Sequence, residues 1–99
     1  MQFAYRIFEQ GSDTLLAISD ADIVGKTLPS EEVEITVSKE FYYGKMCDEK
    51  EAVRLASTAT IVNAIGMEII NLLSKKGFID NKSVLLVGDV PHAQIIAIK

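Results

Sequence analysis

Apolar and polar residues follow a period of two in the first part of the chain. Residues 2–8 place three apolar side chains on one face, and turn residues at 11–13 separate them from the apolar run 14–18. Two extended segments joined by such a turn predict a β-hairpin. Residues 33–37 alternate in the same way, which predicts a third strand with one solvent-facing side.

A short helical turn is predicted between the second and third of these strands. Asp20 is in a position to cap it, residues 21–24 form it, and Gly25 ends it because glycine tolerates the left-handed conformation. Residues 28–30 then connect the turn to the third strand.

A helical period begins after Asp48, which with Glu51 three residues later resembles a capping box, with Asp in place of the more usual Ser or Thr. The cations at 75–76 and Gly77 favour a helix end there. Between these limits, small and apolar residues recur at spacings of three and four, which predicts one stripe on a helix. These residues are Ala52, Leu55, Ala59, Val62, Gly66, Ile69 and Leu73.

The length of this helical region is difficult to fit in a small domain. A straight helix over 48–76 would be about 43 Å long, while a domain of this size has a radius of gyration of about 13 Å. Poor helix formers at 57–60 favour a break, which gives two helices over 48–57 and 60–76. The alternative is one protruding helix that dimerises through the stripe of residues 52–73, at Ala59 and Gly66.

Two apolar runs at 83–87 and 94–98 lack clear alternation, which is typical of strands that are buried on both sides. The predicted order is therefore ββ, short α, β, αα, ββ. It indicates an α+β fold in a single domain over 1–99, with a mostly antiparallel or mixed sheet packed against one long or broken helix.

Composition narrows the class of protein. The chain has 99 residues, 48% of them apolar, and a single cysteine, so no internal disulfide can form. There is no apolar run long enough for a membrane span and no basic region followed by an apolar one at the start, which predicts a soluble cytoplasmic protein. The net charge of −4 argues against a surface that is basic throughout, although the second half has an excess of bases.

The segment 88–94 contains the only histidine, His92, and is predicted to be a loop between the last two strands. Gly88 permits unusual backbone angles and Pro91 stiffens the segment. If the chain is extended there, His92 and Gln94 project on the same side. Histidine can act as an acid, a base or a hydrogen-bond partner near neutral pH. The alternative is a structural histidine that is bonded to backbone.

Four further residues are candidates for binding. Tyr42 and Tyr43 lie in a row of three aromatic residues, and an extended chain would expose at least one of these rings, either as ordinary surface tyrosine or as a stacking platform. Asn63 is a polar residue among apolar ones, so it either bonds buried backbone or lines a site. Lys26 is a candidate surface contact.

Several other sites are excluded. Gly25-Lys26-Thr27 resembles the end of a phosphate-binding loop, but Asp20 occupies the place of the required first glycine. Asp20 and Asp22 lack a third nearby carboxylate for a cation. One His and one Cys do not make a zinc site, and the acids near Cys47 oppose a reactive thiolate. We expect no metal and no cofactor.

With these segments identified, the chain resembles a small archaeal family known as domain of unknown function family 424. The similarity is carried by Gly25-Lys26-Thr27, Phe41-Tyr42-Tyr43-Gly44, residues 59–63 with Gly66, and above all residues 88–94. In related sequences a second glycine stands where this chain has Asp89. The resemblance implies an archaeal cytoplasmic protein of one domain and a link to RNA or translation, and it supplies no established activity.

These observations favour a binding module with RNA or a ribonucleoprotein as partner, in which Tyr42 or Tyr43 stacks on bases and His92 and Gln94 form hydrogen bonds. Lysines at 26, 75, 76 and 82 would contact phosphates. One alternative is a small enzyme with His92 as general acid or base. The other is a protein–protein adaptor or homo-oligomer that uses the stripe of residues 52–73.

Overall fold

The computed structural model describes residues 2–29 and 34–96. Eight strands lie among them: β1 (Phe3–Gln10), β2 (Asp13–Asp20), β3 (Thr27–Leu28), β4 (Ile35–Thr36), β5 (Lys45–Cys47), β6 (Ile61–Ile65), β7 (Val84–Val87) and β8 (Val90–Ile96). The helices are α1 (Lys39–Tyr42), α2 (Glu49–Thr58) and α3 (Met67–Lys75), and 3-10 turns cover Ala21–Ile23 and Asn81–Ser83.

Six of these strands form one mixed sheet in the order β5-β1-β2-β6-β8-β7, and β3 pairs with β4 in a separate small sheet. The β2–β6 pair is parallel, and the other pairs of the large sheet are antiparallel. The α+β fold predicted from the sequence is therefore confirmed. None of the described helices is long and apolar enough to cross a membrane.

The two faces of the large sheet are covered differently. Helices α2 and α3 pack on one side, here called the helix face, where the larger core includes Phe3, Leu16 and Ile69. On the other side, here called the second face, a smaller core includes Tyr42 and Ile65. It is covered by α1, the 3-10 turn at Ala21–Ile23 and the β3–β4 pair. Because these elements are short, they cover only part of the second face.

The main correction to the sequence prediction concerns residues 60–76, which were expected to be one helix. Residues Ile61–Ile65 instead form β6, a central strand between β2 and β8. Three of its five residues are β-branched isoleucine or valine, which favour a strand. The stripe of residues 52–73 is consequently divided between α2, β6 and α3, and a protruding helix that dimerises through Ala59 and Gly66 does not exist.

Gly66 separates β6 from α3. Its φ of +130° is rarely adopted by other residues, and a Cβ there would lie 2.4 Å from the Cγ atom of Asp20. Because β2 and β6 are parallel, Asp20 at the end of β2 reaches the first turn of α3 and accepts hydrogen bonds from the backbone N–H groups of Glu68 (2.9 Å) and Ile69 (2.8 Å). Asp20 was expected to cap the turn that follows it, but its side chain caps α3 instead.

The predicted ends of the helical region agree with the structure. Asp48 caps α2 by accepting a hydrogen bond from the N–H group of Glu51 at 2.9 Å. After α3, Gly77 has a φ of +82° and Phe78 donates from its N–H group to the carbonyl of Leu73, as in a Schellman motif.

Three other expectations need correction. The segment with Phe41, Tyr42 and Tyr43 forms the turn of α1 rather than an extended chain, because Ser38 caps it. Residues 90–94 are part of β8, so the predicted loop is a two-residue turn at Gly88 and Asp89. The third strand is only the short β4, and Val33 lies outside the described residues.

The last correction concerns β7, which was expected to be buried. It is the outermost strand of the large sheet, and Leu85 and Leu86 are 69% and 70% exposed.

Candidate functional site

The candidate site lies on the second face, where the register of β6 and β8 brings polar residues together. Asn63 in β6 stands opposite Gln94 in β8, and Ile65 stands opposite His92. Opposite residues of antiparallel strands project on the same side of the sheet. His92 and Gln94 therefore share a face, as the sequence predicted, and Asn63 joins them.

Three of the predicted site residues form one hydrogen-bond network. The Oδ1 atom of Asn63 lies 2.6 Å from the hydroxyl oxygen of Tyr42 and 2.9 Å from the Nε2 atom of His92. An amide oxygen only accepts, so both partners donate and the neutral imidazole of His92 has its proton on Nε2. The network connects α1, β6 and β8, which are distant in sequence, and it fixes the imidazole ring.

Burial shifts the pKa values of the two titratable groups in this network. It raises the pKa of Tyr42 to about 12 and lowers the pKa of His92 below its ordinary value. The phenol therefore remains a donor, and the imidazole is neutral at neutral pH. Since Asn63 does not titrate, the network is uncharged under these conditions.

Some polar atoms of the network remain available to a ligand. Within the described residues, no side-chain nitrogen or oxygen is both buried and without a hydrogen-bond partner. The Nδ1 atom of His92 and the Nδ2 atom of Asn63 take no part in the hydrogen bonds described above, so both reach solvent. The surface therefore offers the Nδ1 acceptor of His92, the two N–H donors of the Asn63 amide and the exposed amide of Gln94.

Apolar side chains flank these groups at the uncovered end of the second face. Leu85 lies opposite His92 on β7, and Ile96 follows Gln94 at the end of β8. Both are about two-thirds exposed. We call the surface formed by Asn63, Leu85, His92, Gln94 and Ile96 the open strip.

The remaining predicted site residues are not in the open strip. Pro91 is buried on the helix face, beside a groove along α3, and its carbonyl accepts a hydrogen bond from the N–H group of Gly66 at 2.9 Å. Gly88 shapes the turn before β8 with a φ of +63°, and a Cβ there would lie 2.2 Å from the carbonyl oxygen of Pro29. Pro91 and Gly88 therefore position β8 rather than face a ligand.

The two predicted tyrosines have different environments. The ring of Tyr42 is only 7% exposed and meets Phe41 edge to face, so it cannot serve as a stacking platform. Tyr43 is half-exposed, as expected for at least one ring of the aromatic row. A stacking role would therefore fall to Tyr43.

The lysines predicted to contact phosphates are spread over the molecule. Lys26 lies between the first 3-10 turn and β3, and its main chain pairs with Val37. Lys75 and Lys76 are at the end of α3, and Lys82 is in the 3-10 turn before β7. The structure does not gather them into one patch with the open strip.

Other groups considered in the sequence have structural environments. Burial, assisted by the nearby carboxylates of Glu51 and Asp48, raises the pKa of Cys47 to about 11, so its thiol stays protonated. Among the described residues there is no group of three or more His, Cys, Asp or Glu side chains that could hold a metal ion.

The sequence did not reveal that Tyr42 and Asn63 are partners of His92. The signal that was available is the presence of one uncharged polar residue in the apolar segment 61–65, since such a residue needs a hydrogen-bond partner when it is buried. The partner itself depends on the pairing of β6 with β8 and on the position of α1.

The family model described as "Protein of unknown function (DUF424)" matches residues 8–98. The chain belongs to this family. Membership confirms the resemblance carried by residues 88–94, which include the turn at Gly88 and the beginning of β8.

Comparison with solved structures supports the fold. A crystal structure of an uncharacterized conserved protein from Methanopyrus kandleri matches with a TM-score of 0.82 at 22% sequence identity. The match covers 100% of this chain and 96% of that protein. Comparison with the curated proteins gives no match. The likeness therefore establishes a shared fold.

Proposed function

We propose that the protein is a cytoplasmic binding module that hydrogen-bonds the base edges of an unpaired RNA segment on the open strip. The observation that carries the proposal is the fixed position of the His92 imidazole, held by Asn63 at 2.9 Å, while its Nδ1 atom reaches solvent. A polar group that is held in place loses little conformational entropy when a ligand binds.

The chemistry of the strip suits nucleobases. Base edges present neighbouring donors and acceptors, and the strip offers the acceptor of His92 together with the amides of Asn63 and Gln94. The exposed side chains of Leu85 and Ile96 provide apolar contact for the faces of the rings. Unpaired segments are the part of RNA whose base edges are accessible to side chains.

The charge distribution favours contact with bases over contact with phosphates. The five residues of the open strip include no acid and no lysine or arginine, and the whole chain has a net charge of −4. A double-stranded RNA, which presents mainly phosphates and 2′-hydroxyls, is therefore a poor ligand. We expect a small salt dependence, with a slope near −0.7 for each phosphate contacted, because the structure does not gather the lysines beside the open strip.

The network favours binding over catalysis. A general base or acid needs a pKa near the working pH and a partner that exchanges protons with it. The hydroxyl of Tyr42 stays protonated and Asn63 does not titrate, and within residues 2–29 and 34–96 no carboxylate or thiol is hydrogen-bonded to His92. The partners of His92 hold it in place and do not relay protons.

A fluorescence anisotropy titration with single-stranded RNA of mixed sequence tests the proposal. We expect His92→Ala and Gln94→Ala each to weaken binding by about fivefold, the effect of one lost hydrogen bond near 1 kcal/mol. Asn71→Ala, an exposed position on α3 on the helix face, is the matched control and should bind like the natural protein.

Two results would refute the proposal. One is the absence of binding to any single-stranded RNA at low salt. The other is binding that the substitutions at His92 and Gln94 leave unchanged, or that is equally strong for a fully paired duplex, since either would place the ligand elsewhere. Circular dichroism of each variant separates lost binding from lost folding.

A further inference from the structure

The free edge of β7 is the least protected strand edge in the described sheet. Its four residues, Val84–Val87, are all apolar, and Leu85 and Leu86 project from opposite faces with about two-thirds of each side chain exposed. The strand lies at the end of the sheet order, next to β8 only. An exposed apolar edge of this kind is a template for pairing with another strand.

The opposite edge of the sheet is different. There β5 has only three residues, and the exposed Lys45 places a charge within the strand. Short length and a lysine are the usual means of preventing edge-to-edge association. Because β7 lacks both a charge and any covering element among the described residues, the two edges are not equivalent.

The backbone of β7 has unpaired groups in known positions. The carbonyl of Pro91 accepts from Gly66, so the main chain of Pro91 faces β6. In an antiparallel strand, the N–H and C=O groups of one residue point to the same side. Leu86, opposite Pro91, is then not hydrogen-bonded to β8, and the N–H and C=O groups of Val84 and Leu86 point outward.

The charges beside the strand select one orientation for a partner. Lys82 precedes β7 and Asp89 follows it, and neither side chain has an ion-pair partner in the described residues. An antiparallel partner strand of the same sequence would bring Lys82 of one copy near Asp89 of the other, twice about a twofold axis. A parallel arrangement would place like charges together.

We propose that β7 is a homodimer interface, at which two copies of the chain pair their β7 strands antiparallel to form one continuous sheet. The outward groups of Val84 and Leu86 supply the hydrogen bonds, and Leu85 and Leu86 supply apolar contact on the two faces. Because a four-residue strand buries little surface, the dimer is weak and depends on concentration. The interface shares Leu85 with the open strip, but it depends on the main chain of β7 and does not require the RNA-binding proposal.

Sedimentation equilibrium of the full chain over a range of concentrations up to about 1 mM tests this interface. We expect the mean mass to rise toward twice the chain mass. Leu86→Pro should abolish the rise, because it removes an outward N–H group without removing a bond to β8. Leu86→Lys should do the same through charge, while Met46→Lys at the β5 edge is the matched control and should leave association unchanged.

A charge exchange tests the orientation. Lys82→Glu and Asp89→Lys should each weaken dimerisation by about three- to tenfold, and the double variant should restore it. A chain that stays monomeric throughout the concentration range overturns the proposal. The proposal is also overturned if Leu86→Lys does not weaken the dimer or if Met46→Lys disrupts it. It is overturned as well if the double variant fails to regain association. Circular dichroism confirms that each variant is folded.

Discussion

The end of β2 and the centre of β6 each contain a polar side chain among apolar ones, but the two use their hydrogen-bonding capacity differently. On the helix face, both carboxylate oxygens of Asp20 accept from the backbone of α3, and only 5% of the residue is exposed. On the second face, Asn63 uses its oxygen for Tyr42 and His92 and leaves its N–H groups accessible. The first arrangement is complete without a ligand, and the second has capacity left for one.

This difference separates a structural site from a candidate binding site. Burial is the main cause of both pKa shifts, raising that of Asp20 and lowering that of His92. A perturbed pKa therefore does not identify function here. Function is better identified by accessible donors and acceptors beside an uncovered surface. Three substitutions test the distinction between the structural site at Asp20 and the candidate binding site at Asn63, and they follow in order of decreasing effect on stability.

Gly66→Ala should have the largest effect on stability. The substitution combines a φ of +130° with a Cβ that would lie 2.4 Å from the carboxylate carbon of Asp20. We expect a loss of about 3 kcal/mol or more in the free energy of unfolding, measured by urea denaturation.

Gly77→Ala is the matched control for this prediction. Its φ is +82°, but a Cβ there would meet no atom within 4 Å, so only the conformational cost of about 1 kcal/mol applies. If the two substitutions cost the same, the contact between Gly66 and Asp20 does not contribute, and the junction is less crowded than the structure indicates.

Asp20→Asn should have an intermediate effect of about 1–2 kcal/mol, because the amide keeps one acceptor and loses the other. The pH dependence gives a sharper test. Since the pKa of Asp20 is raised in the folded protein, the folded state binds this proton more readily than the unfolded state. The stability that the natural protein has relative to Asp20→Asn should therefore fall as pH rises from 3.8 through the folded pKa.

Urea denaturation of the natural protein and of Asp20→Asn across this pH range measures the difference in their free energies of unfolding. The other acids are present in both proteins, so their contributions cancel in this difference. A difference that increases with pH would mean that the hydrogen bonds from Glu68 and Ile69 outweigh burial. In that case, the pKa of Asp20 is lowered rather than raised in the folded protein.

Much of the fold could be predicted because it depends on local patterns. The hairpin predicted over 2–8 and 14–18 is observed as β1 and β2, and the caps at Asp48 and Gly77 are where the sequence places them. The strand β6 could not be predicted in the same way. Its five residues fit a helical stripe as well as a strand, and its parallel pairing with β2 joins segments more than 40 residues apart.

The candidate site could likewise be predicted only where it depends on local sequence. His92, Gln94, Asn63 and Tyr42 were chosen individually from residue type and setting, but their convergence depends on the register of β8 and the position of α1. The exposure of β7 was also not predictable, because an apolar run of four residues looks the same in an edge strand and in a central one. Only the order of strands distinguishes them.

Asn63→Ala should have the smallest effect on stability and the clearest effect on the imidazole. We expect a loss of about 1 kcal/mol, because the hydroxyl of Tyr42 loses its partner in a partly buried position. Gln94→Ala, directly opposite on β8 and exposed, is the matched control and should change stability by less than about 0.5 kcal/mol.

Nuclear magnetic resonance of His92, the only histidine, reports the state of the network without ambiguity. In the natural protein we expect nitrogen shifts of an Nε2-protonated neutral ring and a pKa below 6.5. A histidine with a lowered folded pKa contributes stability that is present above its unfolded pKa and lost as pH falls through the folded value. Asn63→Ala should instead give a mixture of tautomers, since nothing then selects Nε2. If the natural protein already shows that mixture, Asn63 does not hold the ring, and Nδ1 is not a fixed acceptor for a ligand.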